Sequence, residues 1–235
     1  MKKDLTKTRT DTDVAAFLRK VAQTPARPDT TRRGRLIFAM DATASRAPTW
    51  DQARKVQAAM FEEAARVGGI DIQLAHYRGQ GEFAASRWCG DPRQLRDQMA
   101  QVTCAGGFTQ IEKLLRHALA ETRRQRVQAI VFIGDCVEES PDTLYELAGH
   151  LGLLGVPIFV FHEGGEPHAA MIFRELARLT QGAYCPFDTG SSQRLRDLLR
   201  AVALYAAGGR QALEAHGRET GTVAHEILRQ LPAPK

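Results

Sequence analysis

The sequence predicts an α/β fold: an open, mostly parallel sheet with one antiparallel edge strand and helices on both faces. Two observations carry this reading. The runs LIFAMD, QAIVFIGD and VPIFVF are apolar without alternation, as strands buried on both faces must be. Segments with helical spacing separate them, and strands alternating with helices over roughly 170 residues give a parallel sheet.

Taken in order, residues 13–21 (DVAAFLRKV) read as a short helix, followed by the Pro- and Arg-rich linker TPARPDTTRRGR. Leu36–Asp41 is the first buried strand. Thr49 and Gln52 form a capping box, and Trp50, Ala53, Met60, Ala64 and Val67 give a helical stripe that ends at Gly68. IDIQLAHY alternates, RGQGE is a turn, and FAASRW returns as the second arm of a hairpin, which supplies the antiparallel edge. A helix over residues 92–102 precedes CAGGFT, and Thr109 with Glu112 opens another. Gln128–Asp135 is the second buried strand, and Ser140-Pro141 starts a helix. VPIFVF is the third, residues 167–180 are helical, and Gly182 is the expected stop. Ala183–Phe187 is a last strand, and 192–207 a last helix. The chain therefore divides into a basic arm (1–33), one domain (34–208) and a weakly helical tail (209–235).

Charge is unevenly placed. Residues 1–35 carry ten Lys/Arg and four Asp/Glu, whereas the remaining 200 carry 22 and 23. The net +5 thus belongs to the arm. Nucleic acid is not an expected partner of the domain, and the arm is the only part suited to a polyanion. No apolar run approaches the roughly 20 residues of a membrane span. The N-terminal lysines have no apolar stretch behind them, so a secretory signal is not expected. Cys89, Cys104, Cys136 and Cys185 form no CxxC pair and are expected free and buried, in a reducing cytoplasm.

In sheets of this type ligands bind beyond the carboxyl ends of the strands, where the winding direction reverses. Two strands end there on carboxylates. The first continues Asp41-Ala-Thr43-Ala-Ser45, the second Asp135-Cys-Val-Glu138-Glu139, and Gly106-Gly107-Phe108-Thr109 lies between them. Two aspartates and three hydroxyls, without His or Cys among them, are hard oxygen donors. They suit Mg²⁺, or Mn²⁺ or Ca²⁺, and not zinc or copper. Each residue also has an ordinary explanation: Thr109 as part of a capping box, Ser45 in a turn, Glu138 and Glu139 as first-turn helix acids.

This pattern resembles the metal-ion-dependent adhesion site of von Willebrand factor A (VWA) domains. There an Asp-x-Ser-x-Ser motif is joined by a distant Thr after glycines and by a later Asp after a buried strand. The resemblance spans residues 35–205 and implies a Rossmann-like fold with Asp41, Thr43, Ser45, Thr109 and Asp135 as ion ligands. It further implies a protein-binding module rather than an enzyme, with an Asp or Glu of the partner completing the coordination. Arg46, Phe108, Glu138 and Glu139 are the expected partner-facing residues. Two positions depart from the pattern: Thr43 stands for the commoner Ser, as in copine-like members, and Cys136 follows Asp135 where Gly is usual.

Two rival readings are a scaffold of the same fold without an ion and a phosphatase of the haloacid dehalogenase type. The second also places Asp after the first strand and a late Gly-Asp, met here by Gly134-Asp135. It requires a second carboxylate two residues after the nucleophile as general acid, and position 43 is Thr. A dinucleotide fold is excluded by DATASRAPT, which has no glycine-rich turn after the first strand. His162, Glu163 and His168 share a loop without the spacing of a third metal ligand.

Overall fold

The computed structural model describes residues 33–50, 70–187, 201–203 and 205–206. The expected arm with its short helix, the helix from Thr49 to Gly68 beyond Trp50, residues 188–200 and the tail lie outside them.

Six strands form one sheet in the order β3-β2-β1-β4-β5-β6. They are β1 (Gly34–Asp41), β2 (Ile70–Arg78), β3 (Glu82–Ala85), β4 (Ala129–Gly134), β5 (Ile158–Glu163) and β6 (Ala183–Phe187). All pairings are parallel except β2 with β3. The winding reverses between β1 and β4, where Met40 lies opposite Ile133. Asp41 and Asp135 therefore leave the sheet side by side.

Both faces are covered, which explains why the inner strands lack alternation. Leu36, Phe38 and Met40 pack with Val131, Ile133, Phe159 and Phe161 on one face, beneath Trp50, α1 (Pro92–Gln101) and Val202. Ile37 and Ala39 pack with Ile130, Phe132 and Val160 on the other. That face is covered by α2 (Ile111–Arg124), α3 (Pro141–Leu153) and α4 (Pro167–Leu179). Leu114, Leu115, Ala118 and Leu119 are the inward stripe of α2, at the spacing of one helix face. Among the described residues no helix is long and apolar enough to cross a membrane.

Local start and stop signals differ from expectation in two places. Thr109 and Glu112 do not form a capping box. Helix α2 begins after Gln110, which makes no side-chain cap, and Glu112 pairs with Arg116 at 2.8 Å. The amide of Glu112 is met from another loop by Glu139, at 3.1 Å. Nor does Gly182 supply the left-handed stop after α4. Gln181 does, at φ +57°, while Gly182 closes the turn by donating to the Ala177 carbonyl at 2.8 Å. Glycine is needed at 182 for a different reason. A Cβ there would overlap the backbone carbonyl of Ile158 on β5.

Substitutions at this turn should therefore have opposite signs. Gln181→Gly removes a side chain from the left-handed region and should stabilise the protein by about 0.5–1 kcal/mol. Gly182→Ala forces β5 and the turn apart and should cost about 1–3 kcal/mol. Urea unfolding of the two variants checks both, and equal effects would remove the distinction between them.

Candidate functional site

The site is assembled at the end of β1. Asp41 is fully buried, and its Oδ1 accepts the Thr43 amide at 2.7 Å while its Oδ2 accepts the Tyr77 hydroxyl at 3.1 Å. The chain then enters a 3₁₀ turn (Ala44–Thr49) that keeps the Thr43 and Ser45 hydroxyls 3.0 Å apart. Thr43 is buried and Ser45 exposed, so the pair leads from the buried carboxylate out to solvent.

The neighbouring loop is stitched to this one by backbone. The Ala105 amide donates to the Ala42 carbonyl at 3.0 Å, and Thr43 bridges Ala105 in parallel. Gly107 permits the approach, since a Cβ there would overlap the Gly79 carbonyl in the β2–β3 turn. Phe108 is then left 59% exposed, a large apolar side chain beside a polar crevice.

After β4, Asp135 brings a second carboxylate to the first. Oxygens of Asp41 and Asp135 and the Cys136 sulfur all lie within 4.8 Å of one another. The Asp135 Oδ1 is buried and has no hydrogen-bond partner. Such an orphaned oxygen is costly unless something compensates it. His162 fixes the loop's position. Its Nε2 faces the Asp135 carbonyl at 3.1 Å, and Nδ1 faces the Tyr184 hydroxyl at 2.8 Å. A carbonyl only accepts, so Nε2 carries the proton and Nδ1 accepts from the tyrosine. Burial lowers the pKa of this ring, in keeping with the neutral form.

Charge is strained here. Burial is the main cause that lifts the Asp41 carboxyl from an ordinary 3.8 to about 6; the Thr43 hydrogen bonds oppose it and the Asp135 charge adds to it. The Cys136 thiol is pushed up to about 12, first by burial and then by the charges of Asp135 and Asp41. Tyr77 is held well above its ordinary value by burial and by Asp41, so it remains a donor.

The expected site residues separate into two groups. Asp41, Thr43, Ser45 and Asp135 come together at one crevice. Thr109, buried, is held instead by the loop that follows Asp135. Its amide donates to Glu138 Oε2 at 2.8 Å, its hydroxyl donates to Glu139 Oε2, and the Glu138 amide donates back to that hydroxyl at 2.9 Å. Glu138 and Glu139 thus latch one loop to another, with Glu138 exposed and Glu139 half-buried. Arg46 is also corrected. Expected at the rim, it is 1% exposed and ion-paired with Glu163 at 2.7 Å. Cys104 and Cys136, expected buried, are partly exposed. His162 and Glu163 are spent on these structural contacts.

Sequence reasoning missed Tyr77, Tyr184 and the pairing of Arg46 with Glu163, and it placed His162 and Glu163, which end β5, on a loop. Only Tyr77 left a signal, because it ends the strand that pairs with β1, in register with Asp41. The others act across elements distant in sequence.

No family model and no curated protein matches the sequence. Comparison with solved structures is informative. The SpRpn10 VWA domain superposes with a TM-score of 0.58 at 15% identity, over 71% of this chain and 94% of that one. The fold is that of a VWA domain. A von Willebrand factor type A protein from Catenulispora acidiphila gives 0.59 at 15% identity, over 73% of this chain and 42% of the other. An aerotolerance-related membrane protein from Bacteroides fragilis gives 0.55 at 14%, over 71% and 98%.

The raised Asp41 value sets a pH dependence for the protein in chelator. A carboxyl that binds its proton more tightly folded than unfolded contributes stability below about pH 4, and that contribution is lost as pH rises through 6. The loss is on the order of 2–3 kcal/mol. Urea unfolding in chelator from about pH 4 to 7.5 should show wild type losing this amount relative to Asp41→Asn. Parallel curves would mean that Asp41 titrates normally.

Proposed function

We propose that this VWA domain is a divalent-cation-dependent protein-binding module. One observation carries the reading: two carboxylates meet at the switch point, one fully buried and the other with a buried oxygen lacking any partner. Arg46 is ion-paired with Glu163, and its charge offsets the burial of Asp41 only in part. A divalent ion would compensate both charges at once.

Asp41 and Asp135 would hold such an ion, with the Thr43 and Ser45 hydroxyls completing one side of its shell. Thr109 would contribute indirectly, since its hydroxyl is already engaged twice. Mg²⁺ fits the hard oxygens, and Mn²⁺ and Ca²⁺ share that chemistry. When bound, the ion would supply an electrophilic centre with an exchangeable water. The exposed mouth at Ser45 leaves room for an Asp or Glu of a partner protein, and Phe108 offers an apolar contact beside it. The other candidates for partner contact are buried or engaged.

The same fold without an ion has one observation in its favour, the commitment of Thr109 to Glu138 and Glu139. Melting separates the two readings. At about 100 times its dissociation constant, Mg²⁺ should add roughly 2.7 kcal/mol, or a melting-temperature rise of roughly 5–10 °C. Asp41→Ala and Asp135→Ala should abolish the rise. It should also shrink below about pH 6, as protons compete for Asp41. A melt indifferent to both chelator and Mg²⁺ favours the metal-free scaffold.

Binding without turnover is the accompanying proposal. No general acid stands two residues beyond Asp41, so phosphate monoesters should not be hydrolysed with Mg²⁺ present. Partner capture from lysate should require the ion, fail with chelator and weaken in Phe108→Ala. Capture that survives chelation but falls with rising salt would point to the basic arm instead.

A further inference from the structure

The metal-site reading leaves Cys136 unassigned. The pattern that the sequence resembles has glycine at this position, which brings no donor atom. Here a thiol stands within 4.8 Å of both carboxylates, whereas the Thr109 hydroxyl is engaged by Glu139 and the Glu138 amide. In a tetrahedral zinc site, oxygen and sulfur ligands at about 2.0 and 2.3 Å from the ion lie about 3.5 Å apart. From the 4.8 Å limit, side-chain movement of about 1 Å brings the three groups to that spacing.

We propose that Cys136 is a protein ligand at this site and that it gives the site a preference for a borderline divalent ion of the Zn²⁺ type over Mg²⁺. The inference rests on the metal-site reading above and refines it. Mg²⁺ seeks six oxygens in an octahedron and gains nothing from sulfur. Zn²⁺ accepts two carboxylates and a thiolate as three of four tetrahedral ligands, leaving one position open for water or a partner's carboxylate. On binding, the sulfur–metal bond forms, the thiol proton passes to solvent and a water leaves the ion. The step needs no oxidant or reductant.

Cys136 is partly exposed, so an ion can reach it. A divalent ion there would offset both carboxylates and bind the sulfur directly.

Co²⁺ is the probe, added to full-length, reduced, chelator-stripped protein. The expected result is a thiolate-to-cobalt charge-transfer band in the near ultraviolet that saturates at one equivalent. Zn²⁺ should displace the cobalt at far lower concentration than Mg²⁺. Cys136→Ser should lose the band and bind Zn²⁺ roughly tenfold or more weakly, with Mg²⁺ stabilisation of its melt retained. Cys104→Ser should keep the band, which controls for the second thiol near the site. Cobalt binding without the band, or a band that persists in Cys136→Ser, overturns the assignment while leaving the oxygen site intact. Failure of every ion to bind or to shift the melt overturns both this inference and the metal-site reading.

Discussion

The structure depends on placing two carboxylates side by side where sheet winding reverses. Parallel pairing of β1 and β4 puts Met40 opposite Ile133, so the next residues to leave each strand are committed to the same crevice. Burial makes that proximity unfavourable: Asp41 is driven towards its neutral form, and the Asp135 charge adds to the drive. A scaffold with no use for the arrangement would separate the charges or pair each with a cation. Here the surrounding contacts keep the two together, and the Arg46 charge, shared with Glu163, offsets Asp41 only in part.

Those contacts have a common design. Each fixes a loop through backbone or through a neutral group, leaving the two carboxylates as acceptors. His162, neutral and satisfied at both nitrogens, holds the Asp135 carbonyl rather than its carboxylate. Tyr77 donates a hydroxyl to Asp41 without carrying charge. The Thr109 latch fastens the third loop to Glu138 and Glu139, and the amide end of α2 favours the negative charge of Glu139. The crevice is thus held rigid by groups that do not discharge it, which is what preorganised ion binding requires.

Much of the fold was legible in the sequence because burial on both faces leaves a strong mark. LIFAMD and VPIFVF carry no polar alternation, and β1 and β5 are covered on both sides. The RGQGE turn gave the hairpin and hence the antiparallel edge. The carboxylates were legible for the same reason: a charge ending a fully buried strand has few ordinary explanations. Contacts between loops were not. Thr109 and Glu112 have the spacing of a capping box, but Glu139 reaches the amide of Glu112 first, and no local pattern reports a competitor 27 residues away. Arg46 looked like a rim residue because arginine is usually exposed, and only the β5 end carries the glutamate that draws it inward. Gly182 looked like a helix stop, whereas its real constraint is the backbone of a strand more than 20 residues earlier.

The balance of charge around the crevice gives the strongest argument about what it accommodates. Arg46 is matched by Glu163 at 2.7 Å. Glu138 accepts the Thr109 amide, and Glu139 accepts both the Thr109 hydroxyl and the Glu112 amide at the positive end of α2. With these set aside, Asp41 and Asp135 are two carboxylates in one crevice whose charge the shared Arg46 offsets only in part. A monovalent cation, or a lysine or arginine reaching in, would bring only a single charge. A divalent ion would compensate both through direct bonds. That is also why an added sulfur ligand matters: with the carboxylates already balancing the ion, a thiolate makes the site net negative. Such a site would hold its metal more tightly and be a weaker electrophile towards a partner's carboxylate. On the proposed metal-site reading, the identity of residue 136 would set a trade between retaining an ion and using it to bind, a trade that glycine at this position would not impose.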